Sequence, residues 1–213
     1  MEQQYNQTFS TWNKLAELYQ EKFMHLDIYN DSYDFFCNNI NTANPSILDI
    51  GCGPGNIAKY ILSKNSNCNL HGIDVAPNMI TLARINNPTA SFEVMDCRRI
   101  HQLSNTFDGI ICGFCLPYLS HEDSNSFFSN IKLLLNQNGI LYLSFVEGDS
   151  SKSGLQRSST GDPSYFYYYK LEEITQRLIK LGFEVIKIFH IDYTNNKNQQ
   201  DTHTALIAKK LAP

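Results

Sequence analysis

The chain has 213 residues, 42% of them hydrophobic, and a net charge of −4 with acidic and basic residues interspersed. That is one domain of generous size, able to bury roughly 70% of its unfolded surface, so it needs neither disulfides nor a metal to hold a core. The mild acidity argues against a nucleic-acid backbone as partner, which calls for a basic patch, and no apolar run approaches the length of a membrane span.

The N-terminus, Met1-Glu2-Gln3-Gln4-Tyr5, has neither the basic start nor the apolar core of a signal peptide. Ser10 to about Met24 is expected to be a helix: Trp12, Leu15, Ala16, Tyr19 and Phe23 fall on one face, with Ser10 or Thr11 as its cap. A second helix is expected after Asp31, with Tyr33, Phe36, Cys37 and Ile40 on one side. Asn44-Pro45 ends this helical region, because the residue before proline avoids the helical basin.

From Ser46 the pattern changes to strands alternating with helices. Ile47 to Ile50 reads as a short buried strand, followed by three glycines and a helix carrying Ile57, Ala58, Ile61 and Leu62. Leu70 to Val75 is the second strand, and Pro77 opens the next helix with Met79, Leu82 and Ala83. Phe92 to Met95 is the third strand and Phe107 to Gly113 the fourth, the latter almost continuously apolar, as in a strand covered on both faces. Ser120-x-x-Asp123 is a capping-box-like start for a helix with Phe127, Ile131, Leu134 and Leu135, and Asn138-Gly139 turns the chain into a fifth strand, Ile140 to Val146. The polar stretch 148–164 reads as a loop leading into Tyr165–Tyr169. A helix with Leu171, Ile174, Leu178 and Leu181 ends at Gly182, and two strands, about Glu184–Tyr193 and His203–Lys209, flank a polar turn at Asn195–Gln200.

This alternation implies an α/β architecture, a mostly parallel sheet with helices on both faces. Residues 1–44 form a helical cap in this reading, and residues 45–213 one unit with a lid at 148–169. Ligands in such sheets bind at the carboxyl ends of the strands. There lies Asp49-Ile50-Gly51-Cys52-Gly53-Pro54-Gly55, whose glycines permit positive φ and close approach of a ligand to bare backbone. Asp74, 21 positions after Gly53, ends the second strand where a carboxylate accepts both hydroxyls of a ribose. Asp96 ends the third, placed to accept from an adenine amino group, and Gly113-Phe114 ends the fourth.

On these residues the chain resembles a class I S-adenosylmethionine-dependent methyltransferase of the small-molecule, quinone-biosynthesis-like branch. The match runs from about Ser46 to Val146: acid-x-Gly-x-Gly-x-Gly, then acids at the next two strand ends. The resemblance implies a Rossmann-like three-layer sandwich whose sheet has seven strands, the last antiparallel, and S-adenosylmethionine as methyl donor with S-adenosylhomocysteine as product. It further implies that Asp49, Gly51 and Gly53, with Cys52, border the methionine part of the donor. Asp74, with Val75, would hold the ribose; Met79 would pack on the adenine and Asp96 with Cys97 would meet its amino edge. Gly113 and Phe114 would line the site beside the methyl group, and Tyr19 would cover it.

Rival readings remain. A nicotinamide-dinucleotide fingerprint, as in an NAD(P)-dependent oxidoreductase, has a comparable acid, but Asn56 stands where that pattern wants Gly or Ala. Asp74 and Asp96, each taken alone, are also ordinary polar strand ends. A catalytically silent, methyltransferase-like module that binds adenosyl ligands would carry the same glycine loop. Cys112-Gly113-Phe114-Cys115 has the spacing of a redox pair, yet Cys112 falls inside the apolar strand, and no second ligand pair has zinc-site spacing, so no metal is expected. Cys37, Cys52, Cys68, Cys97, Cys112 and Cys115 read as reduced thiols, which with the missing signal peptide suggests a cytoplasmic protein. The expected acceptor is a small molecule, with the tyrosines of 165–169 either packing a lid or walling an aromatic substrate. An oxygen acceptor calls for a base, and the candidates are His190, His121 and Glu147.

Overall fold

Alternate residues of the central strands enter two different cores. Leu48 and Ile50, Ile110 and Cys112, and Leu141, Leu143 and Phe145 face one side with Phe127, Phe128, Ile131, Ile174 and Leu178. Ile47, Ile111, Ile140, Tyr142, Ala205 and Ile207 face the other with Phe36, Ile57, Ala58, Ile61, Ile80 and Ala83. This period of two under nearly unbroken apolar sequence is what a sheet covered on both faces requires. Each fully buried Ile, Leu or Phe contributes about 1.5–3 kcal/mol.

The computed structural model describes residues 2–158, 160–194 and 200–212. In chain order the elements are α1 (Glu2–Lys14), α2 (Ala16–Phe23), α3 (Asn30–Asn38), β1 (Ser46–Ile50), α4 (Asn56–Lys64), β2 (Asn69–Asp74), α5 (Pro77–Asn86), β3 (Ser91–Val94), β4 (Phe107–Gly113), α6 (His121–Leu134), β5 (Leu135–Val146), β6 (Gly154–Arg157), β7 (Pro163–Phe166), α7 (Leu171–Lys180), β8 (Phe183–Thr194) and β9 (Gln200–Lys210). Seven strands form one sheet in the order β3-β2-β1-β4-β5-β9-β8. β1 to β5 pair in parallel. β9, last in the chain, is inserted between β5 and β8 and runs antiparallel to both. The expected seven-stranded, Rossmann-like sandwich is therefore present. No helix of the described residues is long and apolar enough to cross a membrane.

Three local expectations are corrected. The helix expected over Ser10–Met24 is two helices, broken at Leu15 (φ −90°, ψ 11°), and the first begins at Glu2. Its buried face is Tyr5, Thr8 and Thr11, too polar for an apolar-periodicity search to find. Thr11 therefore lies inside a helix and caps nothing; its hydroxyl donates to the Pro163 carbonyl at 2.6 Å, while the Tyr165 N–H donates to Oγ1 of Thr8 at 3.0 Å. These bonds anchor the second correction. The stretch 148–164, read as loop, contains β6 and the start of β7, which pair as a hairpin, and α1 packs on β7. Third, β5 begins at Leu135 rather than Ile140, and its ladder with β4 jumps between Phe107↔Leu135 and Gly109↔Ile140, around Asn138 at φ 61°. Ser120 caps α6, its Oγ accepting from the Asp123 N–H at 3.1 Å, but the box is half formed: the Ser120 N–H donates to the Tyr5 hydroxyl at 2.9 Å and not to Asp123. Of the polar turn expected at Asn195–Gln200, residues 195–199 lie outside the described residues.

Candidate active site

Strands β1, β2 and β4 end side by side, and the loop after β1 is folded back over their ends. Gly51, Gly53 and Gly55 have φ of 69°, 53° and 80°, in the left-handed region that favours glycine. The N–H groups of Gly51 and Cys52 both reach the Ile73 carbonyl, at 2.8 and 3.0 Å. From the far side Asn86 donates to the Pro54 carbonyl at 2.8 Å and Asn87 to that of Gly55 at 3.0 Å. A Cβ at Gly51 would lie 2.7 Å from Cβ of Cys115, and one at Gly53 would lie 3.6 Å from the Tyr19 ring. The first glycine is thus demanded by packing, and the second brings backbone close to a covering aromatic ring.

The acids beside this loop are buried. Asp74 accepts from the N–H of Gly53 at 2.9 Å and of Ala76 at 2.8 Å, yet burial still pushes its carboxyl above the usual range. Asp49 is fully buried and neither of its oxygens has a hydrogen-bond partner among the described residues. Burial, with the nearby Asp74 charge as a lesser cause, raises it to about 8. A buried carboxyl group left unpaired is costly and marks a place where a donor or cation belongs. Asp96 caps the turn after β3 and is gripped by Arg98, through Nε at 2.8 Å and Nη2 at 2.5 Å.

Above the loop is a cavity of about 260 Å³. Gly51, Cys52, Gly53, Asp74, Val75, Met79, Asp96, Cys97, Gly113, Phe114 and Tyr19, all expected at a cofactor site, line it; Asp49 lies behind the lining. α1 and α2 roof the cavity with Tyr5, Phe9, Trp12, Tyr19 and Phe23. Trp12 packs edge-on to Tyr19, with ring centroids 5.7 Å apart, and its buried indole N–H has no partner among the described residues. No lysine or arginine is among the described lining residues, while Asp74 and Asp96 are.

Of the far wall, sequence reading found only Phe114. His203 on β9 stacks against Tyr193 on β8 at 4.5 Å and 18°, lies 4.8 Å from the Phe114 ring, and shares a 2.6 Å hydrogen bond through Nδ1 with the Tyr29 hydroxyl. Burial drops its pKa to about 4. Phe114 is held at φ 54°, a conformation costing about 1–2 kcal/mol, with its N–H donating to the Ser144 carbonyl at 3.1 Å. In sequence His203 reads only as the start of a strand and Tyr29 as part of a turn; no local signal marks either.

The candidate bases lie elsewhere. Neither His190, His121 nor Glu147 is among the lining residues. His190 is 3.5 Å from Glu147 at the sheet surface, and the Thr204 hydroxyl donates to the same carboxylate. His121 opens α6, where its ring packs 4.5 Å from Tyr169 and burial lowers its pKa. The Cys112–Cys115 pair is not a disulfide; all six cysteines are free thiols. Burial pushes Cys52 up, while Cys97 and Cys115 are raised by thiol hydrogen bonding within the cysteine cluster, with burial adding to both.

Residues 47–139 match the family model described as a methyltransferase domain. Protein 235L of Invertebrate iridescent virus 6, classed with the methyltransferases, is 29% identical over 137 residues, covering 64% of this chain and 49% of that protein. Malonyl-[acyl-carrier protein] O-methyltransferase 1 of Ilyobacter polytropus is 26% identical over 178 residues, covering 80% of this chain and 63% of that one. The chain thus spans about half to just under two thirds of the length of these relatives. Among solved structures, 1,6-didemethyltoxoflavin-N1-methyltransferase of Burkholderia thailandensis, with 1,6-didemethyltoxoflavin and S-adenosylhomocysteine bound, superposes with a TM-score of 0.73 at 16% identity, over 97% of this chain and 88% of that one. At that identity the likeness speaks for the fold.

Proposed function

Because the chain carries a methyltransferase domain of the S-adenosylmethionine-dependent, class I fold, we propose that it is an enzyme transferring a methyl group from S-adenosylmethionine to a small molecule. One observation carries this beyond the fold: the unpaired buried carboxyl of Asp49 beneath the glycine loop, beside a cavity whose described lining holds acids and no lysine or arginine. Such a site suits a ligand with an ammonium and a sulfonium, and repels a pyrophosphate. That argues against a dinucleotide oxidoreductase on grounds independent of the glycine spacing.

The residues present fit the adenosyl donor. Asp49 and the Gly51–Gly53 backbone would take its amino-acid end, and Asp74 its ribose hydroxyls. Met79, Asp96 and Cys97 would take the adenine, and Tyr19 would close over the sulfur. Bound there, the donor supplies a methyl group already activated by positive charge. The protein's part is to align the acceptor with it and to exclude water, and the aromatic roof from α1 and α2 is suited to both. A roofed cavity of this size also supports a small-molecule acceptor rather than a nucleic acid. In this reading residues 1–44 act as the cap of the site.

Calorimetry with S-adenosylmethionine and S-adenosylhomocysteine tests the donor. A folded protein that binds neither at millimolar concentration overturns the proposal. Binding without transfer of labelled methyl groups to any metabolite fraction would instead favour a silent adenosyl-binding module.

A further inference from the structure

We propose that His203, held by Tyr29, is the base of this site and that the acceptor is an uncharged aromatic molecule methylated on a hydroxyl oxygen; the inference rests on the methyltransferase reading above. Besides His203, the described titratable lining groups are tyrosines, three thiols and the acids Asp74 and Asp96. Five of the six described lining tyrosines, Tyr5, Tyr19, Tyr29, Tyr33 and Tyr118, are pushed above the ordinary phenol range by burial, the sixth, Tyr193, is stacked on His203, and the thiols are raised well above their ordinary range. Asp74 already accepts two backbone N–H groups and Asp96 is gripped by Arg98. His203 is the imidazole of the described lining, held neutral by burial and so with a free lone pair to accept a proton during the reaction.

Its geometry suits that work. Nδ1 is committed to the Tyr29 hydroxyl at 2.6 Å, which fixes the ring and leaves Nε2 as the nitrogen for an acceptor. Tyr193, His203 and Tyr29 lie in a near-parallel series, with interplanar angles of 18° and 12°, and Phe114 borders His203 at 4.8 Å. A planar ring gains from such surfaces, and no lysine or arginine of the described lining is present to pair a carboxylate or phosphate.

In the step, the acceptor oxygen bonds to the methyl carbon as its O–H proton passes to Nε2. The electrons of the broken carbon–sulfur bond stay on sulfur, which becomes neutral. Nδ1–H of the resulting imidazolium donates to the Tyr29 oxygen, and the extra proton leaves to solvent with the product. Burial holds the ring neutral, with its pKa at about 4, so it is ready to accept at every pH above that. The titratable groups around it are Asp201 on its own strand, Tyr193 on β8 and Tyr29 before α3.

The test uses the whole protein, labelled S-adenosylmethionine and two probe acceptors, 4-methylphenol and 4-nitrophenol, the second ionising unaided near neutral pH. His203→Gln is expected to lower kcat/KM for 4-methylphenol by roughly 10²–10⁴-fold, and for 4-nitrophenol by less than tenfold, with unchanged S-adenosylhomocysteine affinity and melting temperature. His203→Asn is the second variant should the first not fold. Tyr29→Phe is expected to lower kcat for 4-methylphenol about tenfold and to shift the acid limb of the pH profile. The His203 imidazole, followed by NMR in the native protein, should titrate well below its ordinary value. Equal loss with both phenols reduces His203 to a structural residue and overturns the proposal. So does a native protein that binds S-adenosylmethionine yet methylates neither phenol. A native protein that binds no adenosyl ligand overturns the methyltransferase reading itself.

Discussion

The Gly53 N–H donates to Oδ2 of Asp74 at 2.9 Å, tying the loop after β1 to the end of β2. One carboxylate therefore shapes the glycine loop and, in the proposed function, also holds the ribose. Asp74→Ala removes both services, and adenosyl affinity is expected to fall more than tenfold, a loss of roughly 1.5–3 kcal/mol from charge-assisted hydrogen bonds. Asp74→Asn keeps one acceptor oxygen and should fall between. Titration calorimetry with S-adenosylhomocysteine reads both, and an alanine variant of native affinity would remove Asp74 from the site.

Gly51 and Gly113 separate backbone demand from simple crowding. At Gly51 φ is 69° and a Cβ would meet Cβ and Sγ of Cys115 at 2.7 and 2.9 Å. At Gly113 a Cβ would meet Cδ1 of Ile57 at 2.3 Å, but that atom is the movable end of a side chain. Gly51→Ala is expected to destabilise the protein by about 2–4 kcal/mol, combining left-handed strain with a clash. Gly113→Ala should cost about 1–3 kcal/mol, in the range of ordinary overpacking. Urea unfolding of the two variants gives the comparison; a Gly51→Ala loss below about 1 kcal/mol would mean the loop tolerates a side chain.

The parallel half of the sheet and its glycine loop were readable because their signals are local. β1, β2 and β4 are short, largely apolar runs, each with an acid or a glycine at or next to its end, and burial on both faces leaves such runs little else to be. The roof was half readable. Trp12, Tyr19 and Phe23 show helical spacing, but Thr8 and Thr11 bury a polar face that bonds to β7, a strand more than 150 residues on. Of the far wall only Phe114 was readable. His203 reaches the cavity because β9 inserts between β5 and β8 in a register that sets it opposite Val146, itself a lining residue. His190 is paired with Thr204, the next residue of β9, so the alternation of side chains turns it away from that wall. His190, His121 and Glu147 were candidates in the sequence by residue type alone; the register of two antiparallel strands brings His203 to the cavity instead.

Arg98 fastens the roof to the sheet. Its guanidinium grips Asp96, reaches Glu2 at 3.0 Å and lies 3.9 Å over the ring of Tyr5, joining the start of α1 to the turn after β3. The Asp96 side chain is 12% exposed and the Glu2 side chain 68%, so most of the stabilisation comes from Asp96 and the ring. Arg98→Ala is expected to cost about 1–2 kcal/mol and to speed amide hydrogen exchange across α1. Glu2→Ala should change little, and Arg98→Lys should rescue poorly, since an ammonium cannot make the fork. If α1 exchanges at the native rate in Arg98→Ala, the clamp is dispensable.

Asp49 should make both stability and binding depend on pH. Its folded pKa, about 8, lies above the ordinary value of 3.8, because burial disfavours the carboxylate. Between those two values the folded protein holds a proton that the unfolded chain has lost. This group's contribution to stability is therefore full below about pH 4 and declines as pH rises toward about 8, by up to about 1.4 kcal/mol per pH unit. Asp49→Asn should flatten that slope in the ligand-free protein, as read by urea unfolding at a series of pH values. A cation bound beside Asp49 reverses the balance, since it favours the carboxylate. S-adenosylmethionine binding at pH 7 should then release a proton, seen by calorimetry as heats that vary with the ionisation enthalpy of the buffer. Its affinity should climb by up to about tenfold per pH unit until Asp49 is ionised, and the Asn variant should lose both effects. Buffer-independent heats with the native protein would mean that the ligand's positive groups do not sit against this carboxyl, and Asp49 would then be a structural acid behind the glycine loop.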